Sequence, residues 1–253
     1  MNTIENTLFI GKVFLHFPKL DSTNEFATEY ISKNNPSEGT VISTYCQGKG
    51  RGQIGSKWES EPDKNISLSV ILYPTFITIQ RQFLLSQAIS LGVFDFISKY
   101  LDRNVKVKWP NDIYVKDKKV AGTLIQNTLT ANKFQSAVVG IGINVNQQEF
   151  LSDAPNPTSF KMETGDTFDL DEMAKELCWA VEKRYLQLRS RQEQIIQEDY
   201  LNNLYRFMED GLFQRPDGTI FNGKIVGVTE QGKLRVVHNK GEENFEIKGV
   251  KFL

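Results

Sequence analysis

The chain has 253 residues, 40% of them hydrophobic and 24% charged, with a formal net charge of -1. That length can bury a sizeable core in one large domain, or in a large and a small one, and it excludes a single tiny module. The near balance of charge excludes a global field for nucleic acid or an anionic membrane, so anion binding must come from local clusters.

No stretch approaches the roughly 20 apolar residues that span a bilayer, and the opening MNTIENTLFIGK lacks a basic segment followed by a long apolar one. A cytoplasmic protein is expected. Cys46 and Cys178 are the only cysteines. They are far apart without metal-ligand spacing, which suits a reducing compartment, and both are expected to be small buried hydrophobes.

In chain order, residues 7–17 are strand-like. Residues 21–33 open on Asp21, Ser22, Thr23 and Asn24, side chains that accept orphan N–H bonds at a helix start, and apolar residues follow at helical spacing. Residues 39–47 alternate like a strand and run into GKGRGQIGSKW at 48–58. A strand is predicted over 65–73, ended by Pro74, and a buried-face helix over 77–101. Four strands follow at 104–109, 112–117, 119–126 and 134–145, with KDKK at 116–119 as a hairpin turn. Residues 169–208 are helical through their middle. Beyond RPDGT (215–219), short strands separated by EQG and NKG predict a small β-barrel. This order predicts an α+β fold, a mixed β-sheet with flanking helices, with a boundary near residue 210.

Four segments carry more polar and glycine content than a core requires. DSTN (21–24) reads as a helix cap, or as hydroxyls and an amide facing a polar ligand head. The glycine loop fits neither the P-loop nor the dinucleotide fingerprint, because no helix follows it. Glycines let backbone N–H groups approach a phosphate, Arg51 makes forked bonds, and Trp58 offers a flat face for a purine. In residues 106–122, Lys106 and Lys108 share a strand face opposite Val105, Val107 and Trp109. That stretch is an edge strand and turn, or a source of lysines for phosphates and of Asp112 for a metal ion. Lys119 leads into Gly122, which permits close backbone approach. GIGINVN (140–146) is a strand made small for packing, or one past which a ligand runs, with Asn144 at its end. H-x-x-x-H, C-x-x-C and G-x-S-x-G are all missing, and the chain has two histidines. Nucleotidyl or phosphoryl transfer by positioning and cations fits what is left.

STN at 22–24, GKGRGQIGSKW at 48–58, KWPNDIYV at 108–115, KKVAGTLIQ at 118–126 and GIGINVN at 140–146 resemble, in order and spacing, the biotin protein ligases. The motifs span roughly residues 10–160. The resemblance implies a catalytic domain like the class II aminoacyl-tRNA synthetases at residues 1–210 and an SH3-like domain at 211–253. It implies ATP and biotin as substrates with Mg2+, formation of biotinyl-5′-AMP, and transfer of biotin to a lysine of a biotin carboxyl carrier protein such as that of acetyl-CoA carboxylase. No nucleic-acid or membrane partner is expected, and the protein is expected to be a monomer or weak homodimer.

By matching positions, the resemblance assigns biotin to Ser22, Thr23, Asn24, Gln47, Gly50, Arg51, Gly52, Gln53, Lys119 and Gly122. It assigns ATP to Arg51, Gln53, Trp58, Lys108, Asn111, Asp112, Lys119 and Asn144. Lys119 is the leading catalytic residue and Arg51 the second, with Asp112 also the candidate for magnesium. Residues 48–57 are expected to be mobile without ligand and to order over the adenylate. Gln53 and Ser56 stand where many members carry arginine, so either Lys49 and Lys57 compensate or the loop closes differently. No helix-turn-helix precedes residue 10, so the ligase alone is expected. The competing readings are a lipoate or octanoate ligase or transferase of the same fold, and a non-catalytic nucleotide-binding module.

Overall fold

The computed structural model describes residues 4–53, 55–101, 104–130, 133–152 and 156–253. In chain order the elements are β1 (Phe14–Phe17), α1 (Thr23–Asn34), β2 (Val41–Thr44), β3 (Asn65–Leu72), α2 (Phe83–Tyr100), β4 (Val105–Lys108), β5 (Asp112–Val115), β6 (Lys118–Thr130) and β7 (Lys133–Asn144). Then come α3 (Phe160–Thr164), α4 (Leu170–Arg189), α5 (Glu193–Asn202), β8 (Asp210–Gln214), β9 (Ile220–Val228), β10 (Leu234–His238), β11 (Gly241–Phe245) and β12 (Lys251–Phe252).

The first seven strands form one sheet in the order β1-β2-β3-β7-β6-β5-β4. β1 and β2 run parallel and the other neighbours antiparallel, the mixed sheet that the sequence predicts. Because side chains alternate along a strand, β3 sends Ile66, Leu68, Val70 and Leu72 into the main core with Leu85 and Ala88 of α2 and Leu177 and Val181 of α4. Its other face carries Asn65, Ser67, Ser69 and Ile71, and Ile71 packs with Ala27 of α1. That half-polar face is where a ligand can be held.

Several boundaries differ from the sequence reading for identifiable reasons. β1 starts at Phe14, not residue 7, because Gly11 turns the chain at φ 78°. The backbone N–H groups before it are met by a carboxylate instead of a strand. Glu182 of α4, 3% exposed, accepts from Leu8, Phe9 and Ile10 at 2.6, 2.7 and 2.7 Å. The helical segment 169–208 is two helices, broken where Arg191 takes φ 59°. Cys178 is buried, and burial pushes its thiol up to about 12, whereas Cys46 is only half-buried. No described helix is long and apolar enough to cross a membrane.

The last five strands form an antiparallel sheet in the order β11-β10-β9-β8-β12, consistent with an SH3-like domain. No pairing of β11 with β12 closes it into the expected barrel among the described residues. This sheet is docked on the first. Phe213, Ile225 and Leu234 join the main core, and the indole N–H of Trp109 donates to Gly232 O at 2.9 Å in the turn after β9. Gly232 has φ 90°, and a Cβ there would overlap the Phe83 ring. Trp109 is buried at 5% exposure, so Trp109→Phe loses both this bond and packing volume. It should lower stability by about 2 kcal/mol. An unchanged urea midpoint would show that the bond does not join the two sheets.

Candidate functional site

The register of the first sheet aligns Thr44, Ser67, Gly142, Gly122 and Asp112 in one row across five strands. Ile42, Ser69, Gly140 and Leu124 form the next row. The face beneath α1 therefore has a floor of nearly bare backbone at Gly122, Gly140 and Gly142. Over it stand the start of α1, the glycine loop and Lys119, enclosing a cleft of about 170 Å³.

At one end, Ser22 caps α1 by accepting from the Glu25 N–H, and the Thr23 N–H donates to Gln47 Oε1 at 2.9 Å. Asn24 Nδ2 donates to Leu124 O at 3.1 Å and Gln126 Oε1 at 3.0 Å, while the Ser69 hydroxyl donates to Asn24 Oδ1 at 2.6 Å. A backbone carbonyl accepts only, so Leu124 fixes which way the amide faces. Asn24 fits because its neighbour is Gly140, where a Cβ would overlap the amide. The supporting pair Ser69 and Gln126 were not singled out in the sequence. The signal for Ser69 was the alternation of Asn65, Ser67 and Ser69 in an otherwise apolar strand. Ser67 Oγ, in the cleft wall, is buried with no hydrogen-bond partner among the described residues.

The glycine loop folds as a narrow hairpin. Arg51 bridges Lys57, the Gly52 N–H donates to Ser56 O and the Trp58 N–H to Gly50 O, both at 2.9 Å. Ile54 lies outside the described residues. Gln53 donates to Asn111 Oδ1 at 3.0 Å, tying the loop to the turn before β5, and Asn111 in turn bonds Thr123 O. Arg51 is ion-paired to Glu25 of α1. Lys49 pairs with Asp21 at 2.8 Å. Trp58 lies on the glycine floor, where a Cβ on Gly142 would overlap its ring. Its buried indole N–H finds no acceptor among the described residues.

Lys119 is aimed by the backbone. Between β5 and β6 the register slips from Ile113 opposite Ala121 to Tyr114 opposite Lys119, a bulge that turns the lysine onto the cleft face. The segment after β7 clamps it there. The Lys119 N–H donates to Asn156 O at 2.8 Å and its carbonyl accepts from Thr158 at 2.9 Å. Its ammonium meets Asp112 Oδ1 at 2.7 Å. Gly122 leaves room for this pair, since a Cβ there would stand 3.1 Å from Asp112 Oδ1 and 3.2 Å from Lys119 Nζ. Among the described residues no three His, Cys, Asp or Glu side chains gather as a metal site. The single carboxylate lining the cleft, Asp112, suits an ion such as magnesium that takes most of its ligands from substrate phosphates and water.

Of the residues anticipated for the site, Ser22, Thr23, Asn24, Gln47, Arg51, Gly52, Gln53, Trp58, Asn111, Asp112, Lys119 and Gly122 are brought together around this cleft. Gly50, Lys108 and Asn144 are not part of its lining. Gly50 packs on the Trp58 carbonyl. Lys108 donates to Tyr114 OH at 3.0 Å in an adjoining groove, and burial, with Lys119 and Arg206 nearby, holds its ammonium below the usual lysine range despite the opposing Asp112. Lys106 reaches away to Asn202 O. Asn144 is buried and donates to Thr158 O at 2.9 Å. Ser67, Thr123 and Lys248 line the cleft without having been singled out.

The glycine floor gives a direct test. Gly142→Ala should push Trp58 off the sheet, changing tryptophan emission relative to wild type, a change that the same substitution should not produce in a Trp58→Phe background, and should cost about 1–3 kcal/mol of stability. Identical spectra would contradict the packing of Trp58 on Gly142.

The model of the biotin/lipoate A/B protein ligase family matches residues 16–144 of the chain. Over 243 residues the chain is 29% identical to the bifunctional ligase/repressor BirA of Bacillus subtilis, covering 93% of this chain and 72% of that protein. Over 216 residues it is 27% identical to a biotin–[acetyl-CoA-carboxylase] ligase of Mycobacterium tuberculosis, covering 84% and 79%. Among solved structures, the biotin protein ligase of Aquifex aeolicus in complex with biotin and ATP has the same fold, with a TM-score of 0.79 at 24% identity over 96% of this chain and 99% of that one.

Proposed function

Since the chain belongs to the biotin/lipoate A/B protein ligase family, we propose that it is a biotin protein ligase. It joins biotin to ATP as biotinyl-5′-AMP and passes the biotinyl group to a lysine of a carrier domain. The observation that carries biotin over lipoate is the hydrogen-bonding wall of Ser22, Thr23 and Asn24 at the end of the cleft. A ureido ring has N–H and C=O groups to bond such a wall, and a dithiolane has none. The relatives from B. subtilis and M. tuberculosis are themselves ligases by name, the second acting on acetyl-CoA carboxylase.

In this reading Asn24 Oδ1, with one lone pair taken by Ser69, accepts a ureido N–H, and the valeryl chain runs along the glycine floor toward Lys119. The carboxylate oxygen of biotin attacks the α-phosphorus of ATP, the bond to the bridging oxygen breaks, and pyrophosphate leaves. Lys119 exchanges Asp112 for the carboxylate and α-phosphate oxygens, stabilising charge as it develops. Arg51 exchanges Glu25 for the same anions. Asp112, once released, would be one protein ligand of magnesium, which when bound would screen the polyphosphate charge. Trp58 supplies a face for adenine, and residues 48–57 close over the adenylate and keep water from the anhydride. The carrier lysine amine attacks the acyl carbon, AMP leaves, and no covalent enzyme intermediate is needed.

We further propose residues 1–210 as the biotin- and ATP-binding domain and 211–253 as the SH3-like domain, β8 starting at Asp210. The acceptor is a biotin carboxyl carrier protein, the location cytoplasmic, and the protein a monomer or weak homodimer.

Incubation with ATP and magnesium should release pyrophosphate with biotin and not with lipoate; release with lipoate alone would overturn the assignment, and none with either would favour a non-catalytic nucleotide-binding module. Lys119→Ala should slow adenylation by about a hundredfold or more, and full activity would remove Lys119 from the chemistry. Biotin plus ATP should protect the 48–58 loop from protease, and cleavage at the same rate with and without ligand would exclude closure.

A further inference from the structure

Lys119 cannot serve two anions at once. In the free protein its ammonium meets Asp112 Oδ1 at 2.7 Å, with both side chains mostly buried at 25% and 28% exposure. Once Lys119 turns to the reacting oxygens, Asp112 is left unmet beside the negative charge that develops there, and the two repel. A second cation next to Asp112 would let Lys119 leave without that penalty.

Such a cation stands on the next strand. The register sets Lys108 of β4 opposite Asp112 of β5, which extends to β4 the row that runs through Thr44, Ser67, Gly142, Gly122 and Asp112. Residues paired across strands share a face, so Asp112 lies between two lysines, Lys119 beside Gly122 on one side and Lys108 on the other. Asp112 lines both the cleft and the groove that holds Lys108. Of the charges that act on the Lys108 ammonium, Asp112 is the strongest, ahead of Lys119, Arg206 and Asp117. In the free protein the two are nevertheless not paired. The Lys108 ammonium donates to Tyr114 OH at 3.0 Å and lies 4.4 and 5.3 Å from the ring centres of Tyr114 and Phe252. A neutral phenol is a weaker partner than a carboxylate, and the flexible four-carbon stem of lysine lets the ammonium swing from one to the other.

We propose that Lys108 is a positioning residue that takes over Asp112 when Lys119 leaves it: its ammonium passes from the Tyr114 hydroxyl to the Asp112 carboxylate as Lys119 passes from Asp112 to the reacting anions. This rests on the ligase reading for the anions that draw Lys119 away. The exchange moves no proton and leaves each of the three charged side chains with a partner. Lys108 touches no part of the nucleotide and acts on the reaction through Asp112 alone. A carboxylate has two oxygens, and the hand-over occupies one of them.

The test uses Lys108→Met, Lys108→Arg, Asp112→Asn and the double variant Lys108→Met/Asp112→Asn in the full chain. Methionine keeps an unbranched stem against the Tyr114 and Phe252 rings, so Lys108→Met should melt close to wild type. Its kcat for adenylation should fall about tenfold, the effect of one partly screened charge pair, with KM for biotin and for ATP within about twofold of wild type. Lys108→Arg keeps the charge and should recover most of the rate. In the Asp112→Asn background, Lys108→Met should change kcat by less than about twofold, because the group it acts through is gone. A tenfold fall that persists in that background, a loss of ATP affinity, an arginine variant as slow as the methionine one, or wild-type kcat in Lys108→Met would each overturn the proposal. A crystal structure of Lys119→Met reads the hand-over without any substrate. With its first partner removed, Asp112 should hold the Lys108 ammonium at about 3 Å, and a Lys108 still on Tyr114 would refute the exchange. Pyrophosphate release by the wild type tests the ligase reading separately: a protein that releases none with biotin, yet shows Lys108 on Asp112 in Lys119→Met, loses that reading and keeps the hand-over.

Discussion

The absence of side chains at Gly122, Gly140 and Gly142 is the constraint on which the rest of the site depends. A sheet that packs a core on one face normally fills its other face too, because alternating side chains leave no flat surface. Here the register sets glycines on neighbouring strands, and each is matched to a partner that needs its space: Asn24 over Gly140, Trp58 over Gly142, and the Lys119 and Asp112 pair beside Gly122. The cleft lies where side chains from other elements take the place of the sheet's own in an otherwise close-packed domain.

The electrostatics of the cleft are arranged for exchange. Arg51 rests on Glu25 and Lys119 on Asp112, and both pairs are at least partly exposed. Pairs of that kind hold by a kcal/mol or less, so an anionic ligand displaces the carboxylates at small cost. In the meantime the cations are ordered and the cleft is not a cluster of bare positive charge. The buried carboxylate Glu182 is different. It is fixed by three backbone N–H groups at the start of the chain and serves the fold alone.

Much of this was legible in the sequence, and the parts that were not share a cause. The order of strands and helices followed from periodicity, and the clustered motifs from their glycines and polar residues. Asn24 and Lys119 were identifiable as residues, but their orientation was not. The amide is set by Leu124, about a hundred positions away, and the lysine by a one-residue bulge that no local pattern announces. Lys108 and Asn144 sit in conspicuous motifs, but the first stands opposite Asp112 in the groove beside the cleft and the second is buried on the Thr158 carbonyl, and no local pattern places either. Lys248 was invisible because an isolated lysine after a short strand resembles any surface residue. Long-range register and docking decided each of these, and neither is encoded within a window of a few residues.

The bond between Trp109 and Gly232 also bears on how the protein is made. Synthesis completes the seven-stranded sheet well before the turn that carries Gly232 emerges, so the nascent chain holds Phe83 and Trp109 without their final cover. Domains that emerge first tend to fold first, and apolar surface left open at that stage invites aggregation. The last strands therefore act as a late seal, and a ribosome that stops short of them releases a chain with its cleft lacking Lys248 and its hydrophobic flank bare.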